Sequence, residues 1–209
     1  MPLAATRHLL GIAAPPRCAC CGEDSASVET LCSTCLEELA VARPVLEAGP
    51  RGVELAVAAG PYNGIVRELA HRLKFGRRLG LAGLAAEAIA AACPPGSLDG
   101  TLVPVPPSPW RRRWRGFDPA EEIALALAHV TGLPLARCLR RSPGPRQVGR
   151  TRADRVADPP RVRPRRRVPA AALLVDDVHT TGATLAACAA ALRASGCTRV
   201  VALTLARSR

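Results

Sequence analysis

Aromatic side chains are scarce in this chain. Phe, Trp and Tyr make up 2% of its 209 residues, and lysine occurs once, at Lys74. A hydrophobic core must therefore be built from Ala, Leu, Val and Ile. No apolar run approaches the ~18–20 residues needed to span a bilayer. The first apolar stretch, residues 9–14, stops at Pro15-Pro16 and is too short for a secretory h-region. A soluble, cytoplasmic chain without a membrane span is expected. The pattern G-x-x-x-x-G-K-[ST] is missing, which excludes a Walker loop, and the lack of G-x-G-x-x-G argues against a dinucleotide-binding turn. Hydrophobic residues reach 48%, charged residues 22%, and the mean hydropathy is +0.11, so wholesale disorder is excluded. The length suits one ordinary domain plus a small appendage.

The net charge is +12, and it is unevenly spread. Residues 110–167 hold 16 Arg against five acidic groups, a net of +11, whereas residues 1–109 are close to neutral. Arginine stays charged at any relevant pH, and its fork binds two phosphate oxygens at once. A GC-rich genome accounts for arginine in place of lysine but not for the clustering, which points to an anionic partner, with a solvated charged face as the alternative.

Five of the nine cysteines fall between positions 18 and 35. Cys18 and Cys21 form one C-x-x-C, and Cys32 and Cys35 form another. Two such knuckles set four thiolates at the corners of a tetrahedron, which suits a structural Zn²⁺ with a closed coordination shell. Gly22 permits the tight turn of the first knuckle. Cys20 is excluded as a ligand because a pairing through it imposes the stiffer C-x-C geometry. An odd cysteine count without a secretory signal argues against disulfides, and a redox motif would be single and follow a strand. Cys93, Cys138, Cys188 and Cys197 read as small buried hydrophobes.

After the knuckles, residues 37–60 carry Pro44 and Gly49-Pro50 and read as a joint between parts. Apolar residues at 62, 65, 66, 69 and 73 predict a helix over 62–75, and an Ala/Leu run predicts another over 79–92. TLVPVP is a short buried strand, and WRRRWRGF is a loop. Asp118-Pro119 supplies an N-cap and a first helical residue for a helix to about 130, which Gly132 stops. Residues 141–169 show no periodicity and read as a long loop, either functional, such as a lid, or disordered. AALLVDD as a strand, TTGATLAACAAALRASG as a helix and CTRVVALTLA as a second strand then form a parallel β-α-β unit with a right-handed crossover.

The informative stretch is LVDDVHTTGAT. An apolar strand delivers Asp176 and Asp177 at its carboxyl end, where open parallel sheets bind ligands. Thr180, Thr181, Gly182, Ala183 and Thr184 then open a helix, whose first turn offers unpaired N–H groups and a positive dipole end to a phosphate. Carboxylates repel phosphate but accept hydrogen bonds from vicinal hydroxyls. One sugar phosphate satisfies both halves. His179 at the mouth of this site reads as a bystander. Lys74 serves either the helix dipole at the end of its own helix or a phosphate. Trp110 and Trp114, interleaved with arginines, suit either nucleobase stacking or anchoring of their loop.

VDDVHTTGAT resembles the phosphoribosyl pyrophosphate (PRPP) signature of type I phosphoribosyltransferases. LLGIAAPPRCACCG with CSTC, YNGIVRELAHRLKFGRR, LVPVPPSPWRRRWRGF, the Arg-rich loop with Gln147 and Arg155, and the terminal VVALTLAR are similar to one branch, the ComF-like proteins associated with DNA uptake. The resemblance implies an α/β fold with a type I phosphoribosyltransferase-like parallel sheet flanked by helices. It implies an N-terminal zinc-knuckle segment over 1–50, a transferase-like domain over 51–209, and a mobile Arg-rich loop at 141–167. Asp176 and Asp177 would hold the ribose hydroxyls, with Mg²⁺ bridging hydroxyls and pyrophosphate, and residues 180–184 would cradle the 5′-phosphate. Arg111, Arg112, Arg113, Arg115 and Gly116 would face pyrophosphate or DNA, with Lys74 as a further candidate. Thr180 stands where oxopurine transferases carry a catalytic Asp, so no catalytic residue is assigned. Asp118-Pro119 replaces the usual Asn-Gln, and Asp158 stands where the loop usually carries Asn. The implied function is PRPP binding in DNA uptake or processing, with phosphoribosyl transfer to an acceptor as the attached chemistry. The alternative is a non-catalytic accessory protein that binds single-stranded DNA, works with DNA-uptake or helicase proteins, and uses the pocket as a sensor or scaffold.

Overall fold

The computed structural model describes residues 17–25, 31–75, 79–108, 116–142 and 160–208. Five strands form one sheet in the order β1-β2-β7-β6-β3, comprising β1 (Val45–Ala48), β2 (Leu55–Pro61), β3 (Thr101–Pro104), β6 (Ala171–His179) and β7 (Arg199–Arg207). β2, β7, β6 and β3 run parallel to their neighbours, and β1 closes one edge antiparallel. A separate antiparallel pair joins β4 (Leu139–Arg141) to β5 (Val162–Pro164). The helices are α1 (Ser33–Ala40), α2 (Gly64–Phe75), α3 (Leu79–Ala92), α4 (Pro119–Thr131) and α5 (Ala183–Arg193). Among the described residues, no helix is long and apolar enough to cross a membrane.

The strict alternation of a strand divides the core in two. Leu173 and Val175 of β6, with Val201, Leu203 and Leu205 of β7, face α2, α3 and α4. Ala172 and Leu174, with Val200 and Ala202, face α5 and the β4–β5 pair. These strands are therefore apolar on both faces, as a sheet covered by helices on both sides requires. Leu173, Leu174 and Leu203 are fully buried, each stabilising the fold by about 1.5–3 kcal/mol. Cys18, Ala19, Cys20, Leu31, Cys35 and Leu39 belong to the same apolar cluster as Leu69 and Leu73 of α2, so the cysteine segment is seated on the sheet domain through α2.

Local chemistry sets the helix ends. Asp118 caps α4 by accepting from the Ala120 amide at 3.3 Å, Pro119 follows, and Gly132 ends the helix at φ 71°. The expected joint at 37–60 is corrected. It holds the end of α1, all of β1 and most of β2. Pro44 precedes β1 and Gly49-Pro50 follows it, so these residues flank strands instead of interrupting them. The expected loop at 141–169 is likewise corrected at its ends, because Arg141 belongs to β4 and Val162–Pro164 forms β5.

Candidate sugar-phosphate site and four-cysteine cluster

Asp176 and residues 178–185 line a small, solvent-open cleft of about 30 Å³ at the carboxyl end of β6. Its floor is the start of α5. Ala186 is the first amide of this helix to meet a helical carbonyl, that of Gly182 at 2.8 Å. The amides from Gly182 to Leu185 therefore lack such a partner, although that of Ala183 reaches Thr181 Oγ1 at 3.4 Å. Gly182 stands at φ 73°. A Cβ there would lie 2.8 Å from the Pro50 Cβ and 3.0 Å from His179 Nε2, so both conformation and space demand glycine.

The acidic doublet divides between the two faces of the sheet. Asp176 projects to the α5 side and lines the cleft; its charge helps push the buried Cys188 thiol of α5 upward. Burial, then the neighbouring Asp177 carboxylate, hold the Asp176 carboxyl well above the usual carboxylate range, against the Asp177 amide that donates to it at 2.9 Å. Beyond that amide, a carboxyl so placed is stabilised as an anion by incoming donors, whether hydroxyls or a cation. Asp177 projects to the other side, where Lys74 Nζ at the end of α2 lies 3.1 Å from its Oδ2. Lys74 thus meets the acidic doublet itself, a partner that neither expectation for it named.

His179, expected as a bystander at the mouth of the site, lines the cleft as the last residue of β6, and its side chain is 5% exposed. Its Nδ1 lies 3.5 Å from Glu47 Oε1, and the same oxygen accepts from Arg207 Nε at 2.5 Å. The Arg207 guanidinium also donates to the carbonyl of Thr180 at 2.6 Å, tying the turn to the end of β7. Burial, then Arg207, push the imidazole below its ordinary range, with Glu47 pulling the other way. Sequence reasoning missed Glu47 and Arg207 as parts of the site. The only available signal was Arg207 at the end of VVALTLAR.

The sulfurs of Cys18, Cys21, Cys32 and Cys35 all lie within 4.8 Å of one another, and Cys21 and Cys32 are 3.6 Å apart. A tetrahedron with metal–sulfur bonds of about 2.3 Å has edges of about 3.8 Å, so the four can hold a metal such as zinc. Gly22 at φ 83° turns the first knuckle, and Cys32 caps α1, which carries Cys35 in its first turn. Burial raises the Cys18 thiol, but the amides of Cys32, Cys21 and Cys20 outweigh it and bring the group down to about 6. Donors aimed at a sulfur in this way favour a thiolate ligand. Cys20 stands apart from the four; burial pushes its thiol up to about 12, and its carbonyl accepts from Arg72 of α2 at 3.2 Å. Cys138, Cys188 and Cys197 are buried as expected, and Cys93 is partly so.

Arg111, Arg112, Arg113 and Arg115, with Trp110, Trp114, Gln147, Arg155 and Asp158, lie outside the described residues. Gly116 is described, at φ 71° two residues before the α4 cap. No protein-family model matches the chain, and no curated protein matches it.

Proposed function

We propose that this protein binds PRPP or a related sugar phosphate in the β6–α5 cleft, as a phosphoribosyltransferase-like protein of the ComF type. The observation that carries the reading is the convergence of Asp176 and residues 180–184 on one cleft at the start of α5. The 5′-phosphate sits against the first-turn amides and the Thr181 and Thr184 hydroxyls. A ribose hydroxyl donates to Asp176, which offsets the burial and like-charge repulsion acting on that carboxyl. Asp177 holds Lys74 beside the sugar, and this ammonium is the group we assign to the pyrophosphate. Mg²⁺, when bound, would supply neutralisation of the pyrophosphate charge, with Asp176 as the carboxylate of this cleft that would face it. Where transfer occurs, C1 loses pyrophosphate through an oxocarbenium-like state, and cations around the leaving group stabilise it.

Zinc is the metal we assign to the four cysteines, in a structural role, since four thiolates leave no position for water. The arginine density of residues 110–167 supports contact with single-stranded DNA in uptake or processing, in the cytoplasm, where thiols stay reduced. Calorimetry with PRPP and Mg²⁺ tests the central reading. Binding is expected in the wild type and lost in Asp176→Ala/Asp177→Ala, and absence of heat in the wild type refutes it. Pyrophosphate release against a panel of bases, amines and DNA then separates a transferase from a sensor.

A further inference from the structure

β4 and β5 form a two-stranded ribbon with two unlike faces. Its inner face carries Leu139 and Val162, which pack with Leu185, Cys188 and Leu192 of α5. Backbone bonds continue the pairing past both ends, from the Arg165 amide to the Cys138 carbonyl at 2.8 Å and from the Ser142 amide to the Arg161 carbonyl at 2.9 Å. Alternation sends Arg161, Arg163 and Arg165 outward, and all three are exposed. Arg140 stands directly opposite Arg163 and is exposed on the same face. Arg166 and Arg167 follow, also exposed. None of these arginines makes an ion pair among the described residues. Like charges set directly opposite one another across two strands destabilise the pairing. An anion laid along the outer face relieves that repulsion.

We propose that the outer face of the β4–β5 ribbon is the surface on which this protein holds a single nucleic-acid strand by its phosphate backbone. The inference rests on the single-stranded DNA contact proposed above and deepens it by giving that contact a place in the fold; it does not depend on the sugar-phosphate cleft. Arginines at every second position of an extended chain recur about every 7 Å. Such a row suits a polymer that carries one anion per unit, and each guanidinium fork can take two of its oxygens. The chemistry of the face favours nucleic acid over a protein partner. A protein interface has an apolar core depleted of charge. The exposed large hydrophobics among the described residues, Leu36, Val41, Leu46, Leu125 and Val130, all lie elsewhere. The width of the face favours one strand. Side chains directly opposite each other start about 5 Å apart, whereas grooves of about 6 and 12 Å separate the two phosphate rows of a duplex. The ribbon therefore follows one row. Phosphate contacts of this kind position a strand without reading its sequence.

The test is the binding of the full chain to a fluorescent single-stranded oligonucleotide, read by anisotropy between about 50 and 200 mM salt. Each phosphate neutralised on a single strand contributes about 0.7 to the slope of log affinity against log salt. Arg140→Gln/Arg163→Gln removes two such contacts and should lower the slope by about 1.4, so across this range the wild type loses roughly sevenfold more affinity than the variant. Arg161→Gln/Arg165→Gln should do the same, which keeps the test decisive if one of the two variants does not fold. Arg43→Gln/Arg67→Gln removes equal charge from exposed positions outside the ribbon and should keep the wild-type slope. Slopes equal to wild type in both ribbon variants overturn the ribbon assignment and leave the wider DNA reading to other arginines. Absence of binding by the wild type overturns both. An oligoglutamate that competes as well as the unlabelled oligonucleotide overturns the choice of nucleic acid, and a slope change confined to duplex DNA overturns the choice of a single strand.

Discussion

Replacing Gly182 with alanine adds a methyl group where two separate costs meet. The first is conformational, since φ of 73° lies in the left-handed region, where an L-residue loses roughly 1–2 kcal/mol. The second is steric. The new Cβ would stand 2.8 Å from the Pro50 Cβ and 3.0 Å from its Cγ, with His179 Nε2 also at 3.0 Å. Pro50 lies in the turn after β1 and is a ring with little room to move, so overpacking adds about 1–3 kcal/mol. The sum, about 2–5 kcal/mol, lowers the melting temperature by roughly 5–15 °C for a chain of this size. Gly132 provides the control. It also sits at φ 71°, but nothing lies within 4 Å of its added Cβ, so Gly132→Ala bears the conformational cost alone. Thermal and urea denaturation of the two variants therefore isolate the contact of the α5 start with Pro50 and His179. Equal destabilisation by the two substitutions would mean that the turn is not seated against Pro50, and the geometry of the cleft would be wrong.

Asp176→Asn is expected to stabilise the ligand-free protein at neutral pH. A carboxyl whose folded pKa is raised contributes stability that is complete below its unfolded pKa and is lost as pH rises through the folded value. The gain in melting temperature should therefore vanish near pH 4, and a pH-independent difference would contradict the burial of this carboxyl. A double-mutant cycle of Lys74→Met and Asp177→Asn should show a coupling of about 1–3 kcal/mol in urea denaturation, because the pair is largely shielded from water; additivity would remove the ion pair. Chelation of a metal held at a hundredfold excess over its Kd removes about 2.7 kcal/mol of stability. Calorimetric scans should show that loss in the wild type and in Cys20→Ser, whose sulfur stands outside the four, whereas Cys21→Ser should be insensitive to chelator.

Local chemistry was the most legible part of the fold. The bounds of α3 and the caps of α4 follow from side chains within one helical turn of each end, and both agree with the structure. The two-faced apolar strands β6 and β7 were readable for the same reason, as was the spacing of the four cysteines. β1 and β2 were not, because LAVAAG is a run of small residues between Pro and Gly signals, and its strand character comes from pairing with β7 across almost 150 residues. The candidate site divides likewise. Residues 180–184 lie together in sequence and in space. Lys74 with Asp177, and Glu47 with Arg207 and His179, meet only through tertiary structure, and no local pattern announces them. The alternation of a strand does separate Asp176 from Asp177, and it explains why one carboxylate lines the cleft while the other meets α2.

A structure of the protein crystallised with PRPP and Mg²⁺ addresses the central claim most directly. The account predicts the 5′-phosphate against the amides of residues 182–185 and a ribose hydroxyl on Asp176. A ligand found elsewhere on the molecule, or a cleft that stays empty at millimolar PRPP, would contradict it.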